Sequence, residues 1–281
     1  MSFPDTRLTL IQRLASGASE DDWRVFVQDY SGPIRRFALR RGARNLAEAD
    51  EVVAQTFETL WEAKLLVRWV ANRTAKLRTL LCAVAWRILS GRLRDEGYHQ
   101  RSLRQWAEKA ASPALPAPDQ ADLFYRAWVE ELLQRAVDLV ARDYYCDNQG
   151  DRVRVLYSRL CEGLSVAETA HLLELRYSDV VSFYRQARQR LAERIRQVLR
   201  NHIARYCAED EAQTEFEEEW ERLAEYLERH GGLEEAVRAA YEVWNPVRSA
   251  KTASAAALSE ADHPTGALNS SARVTKGPFA P

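Results

Sequence analysis

Ser178, Ser182, Arg185 and Gln189 recur at intervals that set them on one side of a helix, with Asp179, Phe183 and Gln186 along its flank. Hydroxyls, an amide and a guanidinium on one face are the groups that hydrogen-bond base edges in a DNA major groove. Arg188, Arg190 and Arg194, further along the same segment, carry the charge to hold neighbouring phosphates. A second group joins positive charge to aromatic rings: Arg68, Trp69, Arg73 and Lys76, then Arg78, Trp86, Arg87, Arg92 and Arg94. That combination can track a single-stranded backbone and stack an unpaired base, although Trp69 and Trp86 are equally suited to filling a core. A third group, Asp50, Glu51 and Gln55, falls on the outer side of a helix whose Val52, Val53, Thr56 and Phe57 face inward.

The elements that must position these groups are helical. Ser165 and Glu168 form a capping box that starts one helix, with Val166, Thr169, Ala170 and Leu173 on its inner side. A turn over residues 174–177 follows, and Ser178 is placed to cap the next helix, whose core stripe is Val180, Tyr184, Ala187 and Leu191. The pair reads as a helix-turn-helix, and a plain amphipathic hairpin with a solvated basic face fits the same spacing. Upstream, Trp23, Phe26, Val27 and Tyr30 begin a stripe, and Pro33, at the first turn of a new helix, extends it through Ile34, Phe37 and Ala38. Residues 47–61 predict a helix with Val52, Val53, Thr56, Phe57, Leu60 and Trp61 inward, and residues 77–93 another with Leu77, Leu80, Leu81, Val84 and Ile88 inward.

Composition agrees with an all-α fold: the 281 residues include only 11 Gly and 9 Pro, and Ala, Leu, Arg and Glu dominate. The chain divides into a helical domain at 1–105, a linker at 106–125 around the Pro-rich run 112–118, and a second helical domain at 126–207. An acidic helical extension follows at 208–245, then a tail at 246–281 too poor in apolar residues to fold. The net charge of −1 hides an asymmetry. Residues 1–105 carry 18 Lys+Arg against 12 Asp+Glu and residues 126–207 carry 14 against 11, whereas 208–245 carry 3 against 13. The four cysteines have no C-x-x-C spacing, which implies reduced packing residues in a cytoplasmic protein. No phosphate-cradling loop, nucleophile motif or metal-ligand cluster is present, so neither an enzyme nor a cofactor or metal is expected. The sequence contains no apolar run long enough for a membrane span.

With both basic domains in view, the chain resembles an RNA polymerase sigma factor of the extracytoplasmic-function type over about residues 20–200. The family's second-domain pattern is met by Leu164, Ser165, Glu168, Ala170, Leu173, Val180, Ser182, Ala187, Arg188, Arg190 and Leu191. Its first-domain motif is approached by Ala49, Asp50, Glu51, Val53, Gln55 and Phe57. The resemblance implies core RNA polymerase and promoter DNA as partners, with an anti-sigma protein as a further one. It assigns polymerase docking to Asp50, Glu51 and Gln55. The −10 element falls to Arg68, Trp69, Arg73, Lys76, Arg78, Trp86 and Arg87. The −35 element falls to Ser178, Asp179, Ser182, Phe183, Arg185, Gln186, Arg188 and Arg190. The chain departs from the family at Ala54, at Glu174 in place of the turn glycine, at Trp86 and Arg87, and at Phe183 and Gln186 where arginine is common. A free-standing DNA-binding regulator and a degenerate sigma-like protein-interaction module are the competing readings.

The acidic extension stripes one helix with Phe216, Trp220, Leu223 and Leu227 and, after Gly231 and Gly232, a second with Leu233, Val237, Tyr241 and Trp244. Its carboxylates repel DNA and attract basic surfaces. It therefore either lies over a basic face of one of the domains or pads the second domain as a hairpin.

Overall fold

A computed structural model of the chain describes residues 9–17, 19–71, 76–92 and 117–242. Those residues form eleven α-helices and no strand, the all-α class that the composition implies. The first half holds α1 (Leu10–Ala15), α2 (Glu20–Arg40), α3 (Leu46–Glu62), α4 (Leu65–Ala71) and α5 (Leu77–Arg92). The second holds α6 (Pro118–Cys146), α7 (Gly150–Leu156) with a π-helical turn (Tyr157–Cys161), α8 (Val166–Leu173) and α9 (Tyr177–Tyr206). The acidic segment forms α10 (Ala212–Arg229) and α11 (Leu233–Glu242). The described residues up to Tyr241 belong to one compact unit. Trp244 and the tail from 246 lie outside the described residues.

Local signals place the helix starts. Thr9 and Gln12 form a capping box on α1, Ser19 caps α2, and Asn45 caps α3 through its side-chain oxygen. Inward stripes follow: Phe26, Tyr30, Ile34 and Phe37 of α2 are buried with Val52, Val53, Phe57 and Leu60 of α3 and with Leu77, Leu80, Leu81, Val84 and Ile88 of α5. Trp61 does not follow them. It is 63 % exposed, because the rotation from Leu60 to the next residue carries it past the edge of the stripe, and its ring meets Trp23 edge-on at 5.2 Å.

Pro33 does not begin a new helix; α2 runs through it unbroken. A proline there leaves the carbonyl four residues earlier without its donor. Arg135 of α6 supplies one: its Nη2 donates to the Asp29 carbonyl at 3.3 Å and to that of Gln28, while its Nη1 reaches the Asp29 carboxylate at 3.1 Å. A guanidinium from another helix thus completes the backbone bonding that proline removed.

α6 starts with Pro118 at its first turn, inside the stretch expected to be a linker, and residues 93–116 lie outside the described residues. Phe124, Trp128, Val129, Leu132, Leu133, Ala136, Val137 and Val140 bury α6 around most of its girth. Its apolar face is broad enough for α6 to pack on α2 and α5 as well as on α7 and α9. No break in packing therefore separates the two expected domains among the described residues.

The α2–α6 seam is charged as well as apolar. Arg36 is fully buried; its Nε donates to Glu131 at 3.1 Å, its Nη1 to the Ala240 carbonyl of α11 at 2.6 Å, and its Nη2 to Gln134. Buried Glu130 accepts from Arg40 at 2.5 Å and from Arg126 at 2.9 Å. Gly32 makes room, since a Cβ there would lie 2.2 Å from the Glu131 carboxyl carbon. Removing one member of such a set leaves its partners charged and dry, at a cost of about 3 kcal/mol. Arg36→Met is expected to lower unfolding stability by that amount, read from urea midpoints; an unchanged midpoint would mean that the seam contributes nothing.

Candidate nucleic-acid interface

α8 and α9 meet through a three-residue connection whose geometry the sequence largely dictates. Ser165 accepts from the Glu168 N–H at 3.1 Å, and the Glu168 carboxylate accepts from the Ser165 N–H at 2.7 Å, a complete capping box. Glu174 closes α8 in the left-handed conformation, φ 55° and ψ 37°, and the Leu175 N–H reaches back to the Ala170 carbonyl at 3.0 Å. α9 opens at Tyr177 with Arg176 as its N-cap residue, so Ser178 sits exposed in the first turn and does not cap. The cap residue's own side chain is instead pinned to Asp179, at 2.9 Å.

Val180, Tyr184, Ala187 and Leu191 are buried as the stripe predicts, and Ile195, Leu199 and Ile203 continue it to the helix end. On the opposite face Ser178, Arg185 and Gln189 are exposed and Ser182 is half-buried. Arg188 is exposed and lies 3.6 Å from Glu234 of α11. Arg190 is engaged with Asp147 at 3.3 Å and lies over the Tyr144 ring at 4.6 Å; Arg194 pairs with Asp143 at 2.6 Å. Phe183 and Gln186 turn toward α7. The Arg152 guanidinium lies 5.1 Å above the Phe183 ring and also donates to the Gln186 amide oxygen. Arg152 thus engages both side chains from one guanidinium.

The first-half residues are held differently. Asp50 pairs with Arg35 at 2.5 Å, while Arg92 binds Glu51 at 2.8 Å and donates to the Gln55 amide oxygen at 3.3 Å. Asp50 and Glu51 still face solvent, at 53 % and 66 % exposure. Arg68 donates to the Ala63 carbonyl at 2.6 Å, and Trp69 packs partly against the core. Arg41 lies 5.2 Å over the Trp86 ring. Burial lowers the proton affinity of the half-buried Arg87. Arg73 and Arg94 lie outside the described residues.

Lys76 and Arg78 are taken by the acidic helix. Lys76 Nζ donates to Glu215 at 2.9 Å and Glu219 at 3.1 Å, and Arg78 makes a two-pronged bond to Glu219 at 2.8 and 2.5 Å. The Arg78 guanidinium also lies 4.5 Å over Trp128 and 5.1 Å over Tyr125. Burial by itself would raise the Glu219 carboxyl, but Arg78 and Lys76 hold it at about 2. Nearby, burial pushes His202 down to about 3 against the pull of Asp29, with Arg78, Arg205 and Arg135 reinforcing the fall. Its ring accepts or donates a 3.3 Å bond with the Tyr30 hydroxyl and packs on Trp128 and Tyr206.

Several solvent-facing groups escaped the spacing argument. Leu172, Tyr177 and Val181 are 58 %, 62 % and 44 % exposed around the head of α9. Arg196 and Arg200 are exposed on the same helical face as Arg185, three and four turns further on, and extending the polar stripe past Ile195 would have found them. Among the described residues no cluster of three or more His, Cys, Asp or Glu is placed to hold a metal ion, and no helix is long and apolar enough to cross a membrane.

No protein-family model matches the chain, and comparison with curated proteins and with solved structures finds no match.

Two predictions follow from these local geometries. A non-glycine residue in the left-handed region costs about 1 kcal/mol, so Glu174→Gly should raise stability by up to about that amount, seen as a higher urea midpoint. The pH dependence has one sign. His202, neutral when folded, disfavours the folded state as pH falls from 6.5 toward 3, because the unfolded chain then binds the extra proton. Glu219 contributes its full stabilisation above pH 4.5 and loses it as pH falls toward 2, about 3 kcal/mol in all. Urea midpoints should therefore drop from pH 6.5 downward, and Glu219→Gln should flatten the part below 4.5; a flat wild-type profile would contradict both assignments.

Proposed function

We propose that the chain is a transcription initiation factor of the extracytoplasmic-function sigma type, binding core RNA polymerase through its first half and promoter DNA through its second. The observation that carries this reading is the head of α9. A capped helix, a tight left-handed turn and a second helix present Ser178, Ser182, Arg185 and Gln189 outward on a rigid element, which is how a helix-turn-helix offers its recognition helix to a major groove. Tyr177 and Val181 add apolar contacts of the kind that read thymine methyl groups.

The polymerase-binding surface in this reading is the outer edge of α3. Leu46, Asp50, Ala54, Glu58 and Trp61 all face solvent on one side of that helix, an acidic strip ending in an indole. An aromatic anchor beside charge is the composition of a protein-binding hot spot. Ala54 then sits on the docking edge as a small residue and does not weaken the helix.

The exposed trio Leu172, Tyr177 and Val181 also favours a second reading, a protein-interaction module in which the α8–α9 surface docks a polypeptide. Co-purification with core RNA polymerase followed by run-off transcription from genomic fragments separates the two. Polymerase binding with initiation supports the initiation factor, and protein capture without DNA binding supports the module. Within the first reading, Arg185→Ala should weaken promoter binding by about 1–3 kcal/mol in footprinting. Trp61→Ala should reduce polymerase capture severalfold while costing no more stability than its edge-on contact with Trp23, about 1 kcal/mol in urea midpoints; wild-type capture would remove α3's edge from the interface.

A further inference from the structure

We propose that α10 is a detachable internal competitor of nucleic acid, which engages the distal arginines of the polar face of α9 together with Lys76 and Arg78 and holds the chain in a closed, low-affinity state. This inference rests on the nucleic-acid reading of α9 and adds its regulation.

Ser178, Ser182, Arg185, Gln189, Ala192, Arg196 and Arg200 fall on a single face of α9. Its N-terminal half is open. Its far half is flanked by α10: Arg196 and Arg200 remain exposed, but Arg196 lies 4.9 Å over the Trp220 ring and Arg200 4.8 Å over the Phe216 ring, the two rings being stacked 6.0 Å apart. One turn of the same helix carries Glu215, Glu218 and Glu219, which reach Lys76 at 2.9, 3.8 and 3.1 Å, and Glu219 also clamps Arg78. A strand of nucleic acid running from the head of α9 toward α5 would offer phosphates to those four cations and bases to the cation-bearing face. α10 offers carboxylates and two stacked rings, the same two kinds of group.

The attachment is of a strength that can be exchanged. Only Glu219, Leu223 and Tyr226 of α10 are buried, and Phe216, Trp220 and Leu227 are half-covered. Lys76 is 43 % exposed, so its bonds to α10 are screened by salt and open to competition by another polyanion. Arg78 and Glu219 are both desolvated and their pairing is the firmer part of the attachment, so release has to return both to water or supply Arg78 with another anion such as a phosphate. The helix is bounded at its C-terminal end by Gly231 and Gly232, with φ of 81° and 90°, and α11 beyond them is anchored separately through the Ala240 carbonyl on Arg36. α10 can therefore leave while α11 stays.

The test uses the full chain and two fluorescent DNA probes titrated at low salt, one a duplex and one a single-stranded oligonucleotide. One variant removes the clamp charges, Glu215→Gln with Glu218→Gln and Glu219→Gln. A second, Phe216→Ala with Trp220→Ala, removes the rings under Arg196 and Arg200 and leaves the net charge as it was. A control, Glu217→Gln with Glu221→Gln and Glu228→Gln, removes as many charges from exposed positions of the same helix. If the closed state outweighs the open one ten to one, release raises apparent affinity about tenfold. The expected result is that gain in both contact variants, with faster amide exchange in α10, and a much smaller gain in the control. Equal gains for the clamp and control triples, with none from the ring variant, would reduce the effect to general repulsion and overturn the proposal. Faster exchange in α10 without a gain in affinity, while the wild-type chain binds DNA, would overturn the competitor alone. Absence of DNA binding in every protein, including those with α10 released, would overturn the nucleic-acid reading beneath it.

Discussion

The structure depends on the closing of a dry, charged seam between α2 and α6. Arg36 is fully buried, and a guanidinium can be dry only if nearly every donor finds an acceptor. Glu131, Gln134 and the Ala240 carbonyl supply them from two other helices, so the register of α6 and of α11 against α2 is set to within a hydrogen bond. Arg135 does the same at the proline gap, joining the carbonyls of Gln28 and Asp29 to α6. Asp29 in turn accepts from Arg205 at 2.5 Å and from Tyr206 at 2.9 Å, at the end of α9. One connected set of bonds thus aligns α2, α6, α9 and α11. Apolar burial drives these helices together but tolerates sliding; paired charges do not.

That alignment decides what each face of α9 meets. The helix is thirty residues long. Its stripe from Val180 to Ile203 runs continuously through the interior, so the polar face opposite it is straight and uninterrupted. The first turns leave Tyr177 and Val181 in solvent, whereas the far turns lie where α10 crosses toward Lys76 and Arg78. The same side chain types therefore have two fates. Arg185 faces water, and Arg196 and Arg200 face aromatic rings.

Much of the local structure was legible in the sequence because its causes are local. The capping box at Ser165 and Glu168, the stripe of Val180, Tyr184, Ala187 and Leu191, the turn at Glu174 and the helices over 47–61 and 77–93 each follow from neighbours within a few residues. The misreadings share the opposite cause. Pro33 looks like a helix start until Arg135, a hundred residues away, donates to the carbonyls it strands. Phe183 and Gln186 fall on the flank of a helical wheel, and only the fold brings Arg152 of α7 against both of them. Trp61 sits at the edge of an apolar stripe, where a small rotation separates inside from outside. Of the linker expected over 106–125, residues 118–125 open α6, with Pro118 as the first-turn residue that a long helix favours.

The sequence by itself determined that this protein is helical, where α3, α5, α8 and, to within a residue, α9 begin, which residues line their buried sides and which segment carries the excess of carboxylates. Periodicity, capping and charge count are properties of neighbours along the chain, so they are set before folding. Only the tertiary structure decided that α6 binds both halves into one unit, that Arg36 and Arg135 close its seam, and that Lys76 and Arg78 meet Glu215 and Glu219. Those partners lie about a hundred residues apart or more, and several cations and carboxylates of similar character could have satisfied each of them. Which pairs form depends on the packing of whole helices, and no window of sequence contains that information.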